Sequence, residues 1–244
     1  MDPLAGSSWS EPGTVAGFIA SPPNPTLLAY AARRLLALSE GRALASRVEG
    51  RAGSRVLDIG CGAGRNAVPL ALAGFEVLGT DLSWPMLSAA AARDAGGRLR
   101  VTLAPMEHLP VRDRSMDLVV AHGIWNLARS GSEFRAAVAE AARIAAAGAA
   151  LFVFTFSRHT LPPDAAPIAG ETFVFTQFSG SPQVFLTERQ LVDELHQQGF
   201  DPDPDLPLTE LNRAPALSEA RALACRVEGP VIYQGGFRLK GTVK

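Results

Sequence analysis

Two rhythms alternate through the first two thirds of the chain. Short apolar runs predict strands over Arg55–Ile59, Phe75–Thr80, Leu99–Ala104, Ser115–Ala121 and Ala149–Phe156. Between them, apolar residues recur at helical spacing. These stretches predict helices over Arg65–Ala73, from Ser83 to about Ala95, and over Ser132–Ala146. Gly74 suits a helix C-terminus, and Ser83 with Pro85 suits a helix start. Strand–helix alternation implies an α/β fold with a parallel sheet, helices on both faces and right-handed crossovers.

The flanks read differently. Residues 1–25 are rich in Pro, Gly and Ser and are expected to be partly mobile. Leu27, Leu28, Ala31, Leu35, Leu36 and Leu38 then predict a helix from Pro25 to about Val48, so that residues 1–50 form an N-terminal helical cap. Residues 51–244 form the main domain. After Phe156, Pro162, Pro163 and Pro167 mark a loop. Thr172–Phe178 and Gln183–Leu186 predict a hairpin, so about 157–186 is an insertion that acts as a lid or is a plain surface hairpin. Thr187 and Gln190 fit a capping box for a helix ending at Gly199. The tail predicts strands near Leu206–Leu211 and over Val231–Leu239, and there is no internal repeat.

Composition narrows the class. Over 244 residues, 47% apolar against 19% charged residues supports a full core and leaves little room for extended disorder. The net charge of −1 and the lack of a Lys/Arg cluster give no expectation of a nucleic-acid partner. Cys61 and Cys225 are too few for a disulfide framework or a zinc site, so no metal is expected. With no signal-like segment and no apolar run of spanning length, the expected setting is the cytoplasm, without a membrane partner. Nothing in the sequence sets an oligomeric state.

The chemistry concentrates in Leu57-Asp58-Ile59-Gly60-Cys61-Gly62-Ala63-Gly64-Arg65. This is a strand end, a glycine turn and a helix start. A dinucleotide site needs glycine at the first, third and sixth positions, and the sixth counted from Gly60 is Arg65. Asp58 would also face a pyrophosphate with like charge, costing several kcal/mol at an effective dielectric of ~20. A ligand with an ammonium or sulfonium turns that repulsion into attraction. Asp81, at the end of the second predicted strand, can accept two hydrogen bonds from ribose hydroxyls.

Val56–Asn66 together with Asp81 resembles the class I S-adenosylmethionine-dependent methyltransferases, whose first motif runs apolar-Asp-x-Gly-x-Gly-x-Gly. Glu107–Pro110 with Asp113, Met116–Val119, Glu140–Ile144 with Gly148, and Leu186 through Phe200 resemble later parts of the same family in the same order. The resemblance covers about residues 50–240. It implies a Rossmann-like, doubly wound, seven-stranded sheet, mostly parallel, with an antiparallel last strand. It also implies S-adenosylmethionine as cofactor, bound through Asp58, Gly60, Cys61, Gly62, Asn66, Asp81, Leu82, Met106, Glu107 and His122. Within the family the residue matching Asp58 lies near the methionine ammonium, and the one matching Asp81 holds the ribose. Those matching Met106 and Glu107 lie near the adenine. Two positions depart from the family pattern. Pro105 stands where a carboxylate often meets the adenine amino group, and Gly148-Ala149 replaces a Gly-Gly pair. Gly64-Arg65-Asn66 and the short chain resemble the small-molecule members, including the tellurite-resistance type.

The expected reaction is methyl transfer to an O, N or S atom of a small-molecule acceptor. The rivals are a methyltransferase acting on protein or nucleic acid and a non-catalytic S-adenosylmethionine-binding module. A base is needed only if the acceptor must lose a proton. His122, after the fourth predicted strand, is the candidate, and it equally suits a cofactor or pocket wall or a loop cap. His159, after the fifth strand, is a second pocket candidate or a loop residue. Trp125 offers a ring face to a cation or packs under the insertion, and Cys61 reads as a space-filling side chain. Phe18, Tyr30, Phe173, Phe175, Phe178 and Phe185 close the substrate pocket or belong to the core.

Overall fold

The computed structural model describes residues 3–34, 54–176, 179–213 and 229–241. Leu35, Leu36, Leu38, Phe178 and Cys225 lie outside the described residues.

Five parallel strands carry the fold. They are β1 (Arg55–Ile59), β2 (Glu76–Asp81), β3 (Leu99–Leu103), β4 (Met116–His122) and β5 (Ala145–Phe156). Their spatial order is β3-β2-β1-β4-β5, so the chain reverses direction across the sheet at β1 and β4. That reversal opens a crevice beyond the carboxyl ends of those strands. Helices α3 (Ala67–Leu72), α4 (Trp84–Ala92) and α5 (Gly131–Ile144) make the crossovers. Leu118 and Val120 of β4 join one apolar cluster, and Val119 and Ala121 join the other. Both faces of the strand are therefore covered, which explains why its sequence is continuously apolar instead of alternating.

The helix starts follow side-chain chemistry. The Ser83 hydroxyl accepts the Met86 amide hydrogen, as expected. Thr187 and Gln190 form the anticipated capping box of α6 (Glu188–Gln197). The long helix starts earlier than the sequence spacing suggests, because Ser130 caps it by accepting from Glu133 N–H.

The tail differs in detail from the sequence expectation. β10 (Ile232–Leu239) is antiparallel to β5, as the family resemblance implies. Two short strands share its other edge: β8 (Phe200–Pro202) and β9 (Thr209–Leu211). The main sheet thus has eight strands, seven along its continuous path with β9 beside β10. Strands of three residues show no readable periodicity, which is why β8 escaped notice and β9 was drawn too long.

The N-terminal segment also departs from expectation. Residues 1–25 contain α1 (Pro12–Ala20), with Pro12 supplying a helix-ready first position. A second helix, α2, occupies 25–34. Asn24 caps it, its side-chain oxygen accepting from Leu27 N–H at 3.1 Å. Leu27, Tyr30 and Ala31 of α2 are buried against Val120 and Phe152. Gly236 of β10 makes room for this helix: a Cβ there would come within 2.9 Å of the Tyr30 ring and hydroxyl.

The insertion forms a separate hairpin of β6 (Val174–Phe175) and β7 (Gln183–Val184). Phe173, Val174 and Val184 join the core cluster that holds Trp125 and Phe134. Among the described residues, no helix is long and apolar enough to cross a membrane.

Candidate functional site

The glycine turn follows β1 at the crevice. Gly60, Gly62 and Gly64 have φ of 66°, 53° and 78°, a left-handed region costly for residues with a Cβ. Their neighbours also leave little space. A Cβ at Gly60 would lie 2.6 Å from Ile124, and one at Gly64 would lie 2.7 Å from Val68.

Asp58 and Asp81 are brought together here. Asp81 accepts Gly62 N–H through Oδ2 and Ser83 N–H through Oδ1, both at 2.9 Å. These bonds lock the turn to the start of α4. Asp58 is 2% exposed. Its Oδ2 is buried with no hydrogen-bond partner among the described residues. Burial first, and the Asp81 charge second, push its carboxyl up to about 7, against a backbone hydrogen bond from Ala67. A buried, under-satisfied carboxylate is costly unless a ligand completes it. The residues present therefore fit a cationic group beside the turn, as in S-adenosylmethionine.

The other predicted cofactor residues spread outward from this pair. Cys61 donates its amide to Thr80 O at 2.8 Å, and its sulfur packs where a Gly79 side chain would otherwise stand. Burial, then the charges of Asp58 and Asp81, push the thiol upward, so Cys61 is an inert spacer. Leu82 is half-buried beside Asp81. Met106 is buried in the core cluster, and Glu107 beside it is half-buried. The loop after them is clamped by α5: Leu109 N–H donates to Glu140 at 2.8 Å, and Arg143 donates to the carbonyls of Leu109 and Val111.

Asn66 is buried and accepts Asn24 N–H from the N-terminal segment at 3.0 Å. The Asn24 side-chain nitrogen donates to Gln234 at 2.8 Å and lies 3.2 Å from His122 Nε2. The capping bond to Leu27 fixes the amide orientation, so the nitrogen donates and Nε2 accepts. His122 stacks on Phe154 with ring centroids 4.2 Å apart. Burial, then the Arg65 charge, lower its imidazole to about 4. His122 is thus neutral and engaged at neutral pH. Asn24 and Gln234 were not legible as site residues; only the Asn-Pro helix start at 24–25 hinted at the first.

The remaining candidates divide clearly. Trp125 is fully buried edge-on against Phe134, which favours packing over a cation-binding face. Tyr30 is a core residue whose hydroxyl donates to Asp203 at 2.8 Å. Phe18 of α1 lies over the turn, 3.2 Å from where a Gly62 Cβ would stand. Phe173, Phe175 and Phe185 are buried. His159 is partly exposed and bonds Glu210. Among the described residues, no group of three or more His, Cys, Asp or Glu side chains could hold a metal ion.

The chain is similar to known proteins in sequence and in fold. A family model described as a methyltransferase domain matches residues 56–148. Demethylmenaquinone methyltransferase of Corynebacterium glutamicum is 28% identical over 170 residues, 63% of this chain and 70% of that protein. The protein of the same name from Corynebacterium urealyticum is 32% identical over 111 residues, 45% of each chain. Among solved structures, an S-adenosylmethionine-dependent methyltransferase from Methanosarcina mazei superposes with a TM-score of 0.57 at 21% identity, covering 78% of this chain and 94% of that one. One from Mesorhizobium loti gives 0.58 at 18%, covering 76% and 91%. The [4+2]-cyclase SpnF gives 0.58 at 18%, covering 82% and 80%. These structural likenesses establish the fold; the same scaffold carries more than one chemistry.

Proposed function

We propose that this chain is a class I S-adenosylmethionine-dependent methyltransferase and that it methylates a small-molecule acceptor bound beyond the carboxyl ends of β4 and β5. The observation that carries the cofactor half is the buried Asp58 carboxylate, whose Oδ2 has no protein partner at the glycine turn. The acceptor half rests on the relatives, which are named for demethylmenaquinone.

S-adenosylmethionine supplies an activated methyl on a positively charged sulfur. Asp58 holds the cationic methionine end, and Gly60 and Gly62 let the backbone approach it. Asp81, already fixed by two amide hydrogens, orients the ribose. Leu82, Met106 and Glu107 border the base. With Pro105 where a carboxylate often stands, backbone groups of this loop serve the adenine edge. His122, neutral and bonded to Asn24, acts as a wall between the cofactor turn and the N-terminal segment. Catalysis then comes from holding acceptor and methyl in line at about 3–3.5 Å.

Calorimetry with S-adenosylmethionine, followed by chromatography for S-adenosylhomocysteine and methylated product with demethylmenaquinol as acceptor, tests both halves. Saturable binding lost in Asp81→Ala, together with product formation, is expected. Undiminished binding in Asp81→Ala overturns the site. Binding without turnover on any small acceptor favours the binding-module reading, and turnover on protein or nucleic acid favours the macromolecular one.

A further inference from the structure

A second polar cluster lies at the carboxyl edge of the sheet, outside the cofactor turn. Ser157 and His159 follow the end of β5, Glu210 sits on β9, and Tyr233 opposes Glu210 across β9–β10. His159 Nδ1 is 2.6 Å from Glu210 Oε1. Ser157 Oγ donates to the same carboxylate oxygen and accepts the His159 amide hydrogen at 3.1 Å. Arg213 holds the other oxygen, Oε2, at 2.9 Å. Burial pushes the Glu210 carboxyl up, but the bonds from Ser157, His159 and Arg213 outweigh it and hold the group below its usual range. An ionised carboxylate on Nδ1 fixes that nitrogen as the proton-bearing one. Nε2 is left as the basic atom, on a ring whose side chain is 45% exposed.

Two other histidines show why position matters. His122 lies nearer the cofactor turn, but its Nε2 already accepts from Asn24. His196 has a carboxylate bond like that of His159, Nδ1 to Asp201 at 2.8 Å. Its partner lies on β8, which pairs with the far end of β10 at the amino edge of β5. Ligands of open α/β sheets bind at the opposite, carboxyl edge. Only the His159 pair combines an oriented, accessible imidazole with that edge. The same segment sends Phe156 and Leu161 into an aromatic cluster with Phe175 and Phe185. An apolar wall thus adjoins the polar pair.

We propose that His159 is the general base of the acceptor site, held in orientation by Glu210, and that the acceptor is an aromatic hydroxyl compound. This deepens the small-molecule reading above and rests on it. His159 Nε2 takes the hydroxyl proton. The electron-rich acceptor, through its oxygen or a conjugated ring carbon, bonds to the methyl carbon while the carbon–sulfur bond breaks. The electron pair of that bond stays on sulfur, and any ring hydrogen displaced leaves as a proton. No oxidant is consumed, provided the acceptor enters as a quinol or phenol. Glu210 is a positioning residue. Glu210 bonds the imidazole directly, Arg213 holds the other oxygen of that carboxylate, Tyr233 of β10 interacts with Ser157 and Glu210, and Arg158 of the same segment is directed onto the Leu161 and Pro162 carbonyls and the Phe175 ring.

The test uses the full chain with S-adenosylhomocysteine and 1,4-naphthohydroquinone as probe, kept reduced, and follows the histidine ring nitrogens by NMR. The probe is expected to shift the His159 Nε2 resonance and leave His196 unmoved. With S-adenosylmethionine and demethylmenaquinol, His159→Gln is expected to lower kcat by about 10²–10⁴-fold with cofactor affinity unchanged. Glu210→Gln is expected to lower kcat while leaving the KM for S-adenosylmethionine unchanged. An unshifted His159 at saturating probe overturns the proposal, as does a His159→Gln variant with full kcat. Failure of the unaltered protein to bind S-adenosylmethionine overturns the cofactor reading instead, while the probe shift still decides the role of His159.

Discussion

Asp58 and Asp203 are both buried, at 2% and 0% exposure, yet their surroundings are opposite. Asp203 is saturated. Its Oδ2 accepts from Tyr30 and from Arg34, and its Oδ1 accepts from Asp205 N–H and lies 3.3 Å from Arg238. It ties α2 to the β8–β10 region. Asp58 has a backbone hydrogen bond from Ala67, an unpartnered Oδ2 and a like charge nearby. One aspartate is a brace; the other, among the described residues, is left under-satisfied. The difference teaches that burial of a charge identifies nothing by itself. What discriminates is whether the fold supplies its partners.

The comparison breaks most sharply at the brace. Asp203→Ala removes the acceptor of the Tyr30 hydroxyl and leaves the Arg34 guanidinium its 3.3 Å pair with Asp205, and is expected to cost about 3 kcal/mol in urea unfolding. Cofactor affinity of the folded fraction should hold. An affinity loss matching that of Asp58→Asn would erase the distinction.

At Asp58 the sign reverses. Removing a buried, poorly satisfied charge in Asp58→Asn is expected to stabilise the ligand-free protein at pH 8 by on the order of 2 kcal/mol, a rise of a few degrees in Tm. Calorimetry should show S-adenosylmethionine binding weakened at least about tenfold, since a charge-assisted contact contributes about 1.5–3 kcal/mol. A lower Tm in this variant would place Asp58 with the braces.

The pH dependence sharpens the same point. The ordinary Asp58 value of 3.8 rises to about 7 on folding. The unfolded chain therefore loses this proton first, and folded stability falls as pH climbs from about 4 to 7. His122 acts in the other direction. Its ordinary 6.5 drops to about 4, so stability is lost as pH falls between those values. Between about pH 4 and 6.5 the two slopes oppose and largely cancel, so urea midpoints of the unaltered protein should change little there, whereas Asp58→Asn should expose the acid-side loss of His122. Cofactor affinity should decline below about pH 7, by up to about tenfold per unit, because binding needs the ionised carboxylate.

The smallest effect belongs to Tyr30→Phe, which removes one of several donors to Asp203. About 1 kcal/mol is expected, with no change in S-adenosylmethionine affinity.

Much of the fold was legible because it is written locally. The strands β1 to β5 are apolar runs bounded by polar residues, and Ser83 and Thr187 announce their helices through their own hydroxyls. The turn at Gly60–Gly64 was legible for the same reason: a left-handed backbone needs glycine, and Asp58 and Asp81 sit at strand ends. The N-terminal segment departs from its sequence expectation because Pro and Gly in 12–20 suggest mobility, while α1 packs on α4 and Ser10, just before it, bonds the α4 cap Ser83. Asn24 meets both His122 and Gln234 only because α2, β4 and β10 converge. No local pattern encodes a contact between residues 24 and 234.

The sequence by itself determined the alternating architecture and the glycine turn, because each depends on residue type at short range. Only the tertiary structure decided which charges are satisfied and which are not. It paired Asp203 with Arg34 and Tyr30, left Asp58 Oδ2 without a protein partner, silenced His122 with an amide and gave His159 a carboxylate on the acceptor edge. Partners from distant segments set the solvation and charge of a buried group, and those are the terms that separate a structural residue from a functional one.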